Sequence, residues 1–159
     1  MRLRLLVLLA MTCALALAGA ASAAAGSGAT VLHFAVTYPG DGSQHWSLVH
    51  REDLAEGYAL AYEHGKAGER YLLADESRFT VKELAEAVAE ATGSRAIAWP
   101  ATELVKAMGG YGEALLNDLS VSSARARRDL GWVPRHASFV AEVRDLWREW
   151  QAGRAAPVR

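Results

Sequence analysis

The chain has 159 residues, 52% of them apolar, and its 17 Lys and Arg against 18 Asp and Glu leave a net charge of -1. That length suits one domain, or one domain with an appendage, and excludes a second full lobe. The charge balance excludes a global field for nucleic acid or an anionic membrane, and the one cysteine, Cys13, excludes disulfides, zinc clusters and a thiol nucleophile from the rest of the chain.

Residues 1–23 read as a secretory signal: Arg2 and Arg4, an apolar run over about 5–18, and Ala21-Ser22-Ala23 as an A-x-A cleavage site. The run is shorter than the roughly 20 residues of a spanning helix, which favours a signal over an anchor. Ala10, Met11 and Thr12 before Cys13 do not form a lipid-attachment box. A run of this composition also arises from a mis-started reading frame, so two readings of the segment stand. Residues 24–38 form a linker and first strand, 39–152 the main lobe, and 153–159 a tail.

Residues 31–37, VLHFAVT, suit a strand, and YPGDGSQ after them is a turn cluster. A second strand is expected over 46–50. A helix follows, with Asp53 and Glu56 at its start, Leu54, Tyr58, Ala61 and Tyr62 in its pattern and Gly65 at its end. Residues 69–74, ERYLLA, suit a third strand. Thr80-Val81-Lys82-Glu83 is a capping box for a helix with Leu84, Ala87, Val88 and Ala91 on one face, closing at Gly93. Residues 94–99 suit a fourth strand, and Pro100 suits the first turn of a helix to Met108. GGYG at 109–112 reads as a loop.

Ser122 or Ser123 can cap a short helix that carries Arg125, Arg127 and Arg128 and ends before Gly131, after which Trp132 folds back as an apolar lid. Ser138 opens the last helix, where Phe139, Val143, Leu146, Trp147 and Trp150 form a core-facing stripe. The arginines of the last third read as solvated helix faces paired with Glu142, Asp145 and Glu149.

Three stretches, GDGSQHWSLVHREDLAEGYALA (40–61), GERYLLADESRFTVKELAEAVAEATG (68–93) and VSSARARRDLGWVPRHASF (121–139), together resemble one family. It is the extended short-chain dehydrogenase/reductases, or NAD-dependent epimerase/dehydratases, and the resemblance covers essentially everything after Tyr38. It implies an α/β fold, a partial Rossmann-type C-terminal substrate lobe with short strands and about five helices behind the signal-like apolar helix. It also implies that His45, Trp46 and His50 face substrate, that Asp53 caps the following helix, and that Leu130, Gly131, Trp132 and Pro134 form a packing motif. The family often carries Arg where this chain has His45, and a Val before the acidic pair where this chain has Arg51-Glu52-Asp53. A neutral His grips phosphate less well than Arg, so tight nucleotide-sugar binding is not implied.

Hydride transfer in this family requires a glycine-rich turn after the first strand, where backbone approaches a pyrophosphate. Gly26-Ser27-Gly28 lacks the preceding strand, and Gly110-Tyr111-Gly112 comes too late in the chain. Tyr62-Glu63-His64-Gly65-Lys66 has the spacing of the family's Tyr-x-x-x-Lys acid/base pair. Gly65 interrupts it at the helix end, so no catalytic residue is assigned. His33, His45, His50, His64 and His136 lack metal spacing, no nucleophile elbow is present, and His50 beside Asp53 reads as structural.

The expectation is therefore a truncated relative of NAD(P)-dependent epimerases and reductases, not catalytic alone and with no cofactor of its own; NAD(P) is implied by the family. A small sugar-like ligand, and a partner that supplies the Rossmann half, are the expected associations, with no nucleic acid and no stable membrane span. Two alternatives stand beside it: an exported binding or interaction module, and a mis-started fragment of a cytoplasmic oxidoreductase.

Overall fold

The computed structural model describes residues 35–136 and 138–155. The signal-like segment, the strand expected from residue 31 up to Phe34, and the end of the tail lie outside the described residues. Among those described, no helix is long and apolar enough to cross a membrane.

The described elements are strand β1 (Ala35–Pro39), helix α1 (Arg51–His64), helix α2 (Val81–Thr92), strand β2 (Arg95–Trp99), and helices α3 (Ala101–Met108), α4 (Gly110–Leu115), α5 (Ala124–Leu130) and α6 (Phe139–Ala155). Six helices are thus described where about five were expected, because GGYG is not a loop but the first turn of α4. The two strands pair in parallel, Ala35 opposite Arg95 through Pro39 opposite Trp99, and Gly40 N–H extends the pairing to Trp99 O at 2.9 Å. A parallel pair needs a crossover, and α1 and α2 lie within it. Helix α2 packs on both strands and on α6.

The capping box of α2 forms as its sequence requires. Thr80 N–H donates to Glu83 Oε2 at 2.7 Å, Glu83 N–H donates to Thr80 Oγ1 at 3.2 Å, and Gly93 closes the helix in the left-handed region at φ +68. Its buried face is Val81, Leu84, Ala85 and Ala89, with Ala87, Val88 and Ala91 half-buried beside it. Gly131 ends α5 in the same left-handed way, and Ser138 Oγ accepts from Ala141 N–H at the start of α6. On α6 the stripe buries Val143, while Trp150 is half exposed and stacks on Trp147 with ring centroids 4.7 Å apart.

Two expected strands are absent. Residues 46–50 are extended but bridge in turn to different segments: His45 O accepts from Leu119 N–H, Ser47 N–H donates to Leu119 O, and Leu48 O accepts from Asp75 N–H. Residues 69–74 form no ladder because a side chain takes the place of a strand at Ala74, whose N–H donates to Ser123 Oγ at 2.8 Å and whose carbonyl accepts from that hydroxyl at 3.0 Å. Ser123 therefore does not cap α5 with its side chain; Ser122 Oγ accepts from Ala124 N–H instead.

Helix α1 starts two residues before Asp53, with His50 at the N-cap. Its buried face is rotated from the expected one: Asp53 and Gly57 are buried, whereas Tyr58 and Tyr62 are exposed. A Cβ on Gly57 would stand 2.3 Å from Leu73 Cδ1 and 3.2 Å from Trp132 Nε1, so the missing side chain is what lets both pack against the helix. Around them Trp132, Ala126 and Leu130 form a core with Val49, Leu60, Ala61, Tyr71 and Leu73.

Candidate functional site

Asp53 organises one polar centre. It is 1% exposed, and its two oxygens accept the backbone N–H groups of Arg135 and His136, each at 3.0 Å, while its carbonyl accepts Trp132 Nε1–H at 2.8 Å. One residue of α1 thereby fixes the whole 132–136 turn. Burial opposes ionisation of Asp53, but the two N–H groups and the nearby histidines outweigh it and hold the carboxyl below its ordinary value. The resemblance implied a helix-capping acid here. The helix is capped instead by His50, whose Nδ1 accepts Glu52 N–H at 3.3 Å.

His50 and His136 stack with ring centroids 3.7 Å apart. Glu142 hydrogen-bonds His136 and raises its pKa above the ordinary imidazole value, with Asp53 and Glu52 adding to the effect against partial burial. Spacing in the sequence gave no sign of this pairing, since the two histidines lie on distant segments.

The second centre is a cleft of about 150 Å³ lined by His45, Trp46, Ser47, Ser77, Arg78, Asp118 and Ser120. Its walls are tied together by backbone and side-chain bonds. Asp118 accepts His45 N–H at 3.0 Å, and Ser47 Oγ donates to Leu119 O at 2.9 Å while accepting from Val121 N–H at 2.8 Å. Ser77 N–H and Oγ–H both donate to Asp75 Oδ1 at 2.9 Å. Glu76, at φ +58, turns the chain between them and is anchored by Ser123 N–H and Arg127. These two partners hold the Glu76 carboxyl below its ordinary value, the Arg127 hydrogen bond first. Trp46 Nε1 is buried without a hydrogen-bond partner, and Arg78 has no ion-pair partner among the described residues.

His45 and Trp46 therefore line one cleft together, whereas His50 belongs to the Asp53 centre. Arg78, Asp118 and Ser120 were not singled out in the sequence, because nothing in their spacing marks them as neighbours of Trp46. A larger depression, about 560 Å³, is lined by Gly68, Glu69, Arg70, Leu72, Ser122 and Arg125. It is crossed by the Glu69–Arg125 ion pair and holds no buried unpartnered donor, so the smaller cleft is the better candidate.

Tyr62 is 92% exposed, and Lys66 lies past the end of α1 near Asp129, so the two do not share a helix face. The glycines that follow β1, Gly40 and Gly42, lie close to other side chains. A Cβ on Gly40 would meet Leu116 Cδ2 at 3.0 Å, and one on Gly42 would meet Lys82 and Tyr38 at 2.7 Å. Leu116, Lys82 and Tyr38 pack against these glycines, and the first turn of α2 lies beside them, with Lys82 N–H donating to Gly42 O and Val81 N–H to Gln44 O. Among the described residues, the arginines of the last third from Arg125 to Arg148 are paired, mostly outside the expected set: Arg125 with Glu69, Arg127 with Glu76, Arg128 with Asp129, Arg135 with Glu56, Arg144 with Glu90, and only Arg148 with the expected Asp145.

Among solved structures, the chain is similar to RMD from Pseudomonas aeruginosa complexed with NADPH, with a TM-score of 0.52 and 18% identity over 73% of this chain and 35% of that one. It is also similar to DesIV, a dTDP-glucose 4,6-dehydratase from Streptomyces venezuelae with NAD and TYD bound, with a TM-score of 0.55 and 25% identity over 77% of this chain and 35% of that one. The fold is similar to that of Rossmann-type dehydratases and reductases. Within this dehydratase/reductase-like fold the chain is 30% identical over 109 residues to UDP-glucose 4-epimerase of Corynebacterium glutamicum, covering 67% of this chain and 31% of that enzyme. It is 29% identical over 107 residues to an uncharacterized protein of Saccharomyces cerevisiae, covering 67% and 36%. The chain thus spans about a third of the length of the curated relatives it matches. No family model matches it.

Proposed function

We propose that this chain is the equivalent of the substrate lobe of an NAD(P)-dependent epimerase or reductase, with the Trp46 cleft as part of the substrate pocket. The observation that carries the reading is Trp46, which lines the cleft with Ser47, Ser77, Ser120 and Arg78 and whose indole N–H is buried without an acceptor. A buried donor left unmade costs about 1–3 kcal/mol, a cost that is offset when a ligand oxygen accepts it. The Ser120 hydroxyl, the Arg78 cation and an orphan donor suit a hydroxyl-bearing ligand of the sugar class, with Ser47 and Ser77 holding the walls. The cleft, at about 150 Å³, is smaller than the roughly 300–1,000 Å³ of a complete small-molecule pocket. It is therefore one wall of a pocket whose other wall comes with a cofactor-binding half, in the same polypeptide or in a partner chain. NAD(P) is held by that half, as is the acid/base pair, and this lobe alone does not catalyse.

The test is the indole region of a ¹H–¹⁵N spectrum of the full chain, with the Trp46 signal assigned through Trp46→Phe. UDP-glucose at millimolar concentration is expected to move the Trp46 signal, and NADH to move none of the five indoles. A Trp46 signal indifferent to the sugar nucleotide removes the pocket, and NADH binding by this chain alone removes the lobe assignment.

A further inference from the structure

We propose that His50, Glu52 and His136 bind one divalent transition-metal ion of the zinc class, at a site separate from the Trp46 cleft. One ligand atom from each of the three lies within 4.8 Å of the others. Two imidazoles and a carboxylate are a donor set that zinc takes with a fourth position left for water or a ligand. His50 stands at the N-cap of α1 and Glu52 in its first turn, while His136 comes from the turn before α6, so the ion would join two distant segments.

A second observation supports a ligand at this place. His136 Nδ1 is 2.8 Å from Glu142 Oε2, and its Nε2 is 3.7 Å from Glu52 Oε2. With its proton on Nδ1 and donated to Glu142, the ring keeps the Nε2 lone pair for the ion, the carboxylate–histidine arrangement that orients metal-bound imidazoles. The His136 backbone is itself fixed by Asp53, which holds its N–H at 3.0 Å. Glu52, Asp53 and Glu142 supply the negative charge that offsets a dication beside the positive end of a helix.

His50 must adjust. Its Nδ1 accepts Glu52 N–H at 3.3 Å, long for a hydrogen bond of this kind, and its ring lies 25° from that of His136. Coordination through Nδ1 replaces that bond. Coordination through Nε2 moves the proton to Nδ1 and breaks it. In both cases the rings splay so that their lone pairs converge, and the ion takes over what the weak cap contributed.

The experiment uses the full chain, freed of metal with a chelator and titrated with ZnCl₂ by calorimetry, with Co²⁺ absorbance as a second readout. One Zn²⁺ per chain, a melting temperature that rises with Zn²⁺ and a d–d spectrum of low coordination number are expected. His136→Gln and His50→Asn each lower the affinity at least about tenfold, and Glu142→Gln by about 10–100-fold. Asn retains a capping acceptor, so His50→Asn separates loss of the ligand from loss of the helix start. His64→Gln, on the far end of α1, leaves affinity unchanged. Zn²⁺ affinity that persists in folded His50→Asn or His136→Gln chains overturns the proposal. If those variants do not fold, the wild-type Co²⁺ spectrum decides, and a spectrum of hexaaquo cobalt overturns it as well.

Discussion

Asp53 shows how one buried charge can organise a lobe. Both oxygens and the carbonyl of this residue are spent on the 132–136 turn, so the acid acts as a bracket between α1 and the chain that leads into α6. Asp53→Ala leaves two N–H groups without their acceptor, and a loss of about 2–4 kcal/mol in urea denaturation is expected, against about 1 kcal/mol for Asp53→Asn, which keeps one acceptor. Trp132, fully buried on the same bracket, is the largest side chain of the core. Trp132→Ala is expected to cost about 3–5 kcal/mol by the same measurement, more than any other single truncation in this cluster.

At the scale of elements, local rules and tertiary demands part company. Helix α2 is specified locally: Thr80→Ala removes one half of a reciprocal cap and is expected to cost about 1 kcal/mol, while leaving the Trp46 cleft intact. The loop that builds that cleft depends on Glu76, whose folded pKa is depressed by Arg127 and Ser123. A depressed acid contributes stability above its unfolded pKa and loses it as pH falls through the folded value. The stabilisation is thus present above the ordinary glutamate value of 4.5 and declines below it. Thermal unfolding of Glu76→Gln, followed between pH 3 and 7, is expected to fall below wild type near neutrality and to converge with it at the acid end.

For the whole molecule, the uneven distribution of burial sets the stability. The parallel sheet has two described strands, with Ile97 exposed, whereas parallel sheets are ordinarily covered on both faces. Trp132 and Ala126, by contrast, are fully buried. Hydrogen exchange of the full chain is expected to show slow amides in α1 and α5 and faster ones in β1 and β2; equal protection in both would contradict the lobe picture. Addition of a cofactor-binding half that covers the sheet is expected to slow the strand amides selectively.

Short-range chemistry is legible in the linear chain. The α2 capping box, the left-handed glycines at Gly93 and Gly131, the strand over 95–99 and the α/β class all follow from side chains within a few residues of one another. The resemblance carried in three stretches likewise pointed to the fold that the solved structures share. Tertiary structure decided the rest. Residues 46–50 and 69–74 have the composition of strands, but their hydrogen bonds go to Leu119, Asp75 and Ser123, partners that only chain folding brings near. The buried face of α1 is set by tertiary contacts for the same reason. Apolar periodicity marks Tyr58 and Tyr62, yet the packed face is the one where Asp53 can meet two backbone N–H groups and Gly57 can admit Trp132. The two candidate sites follow suit: Trp46 with Arg78 and Asp118, and His50 with His136, are assembled across the chain, and no spacing in a linear sequence encodes a distance between segments that meet only when folded.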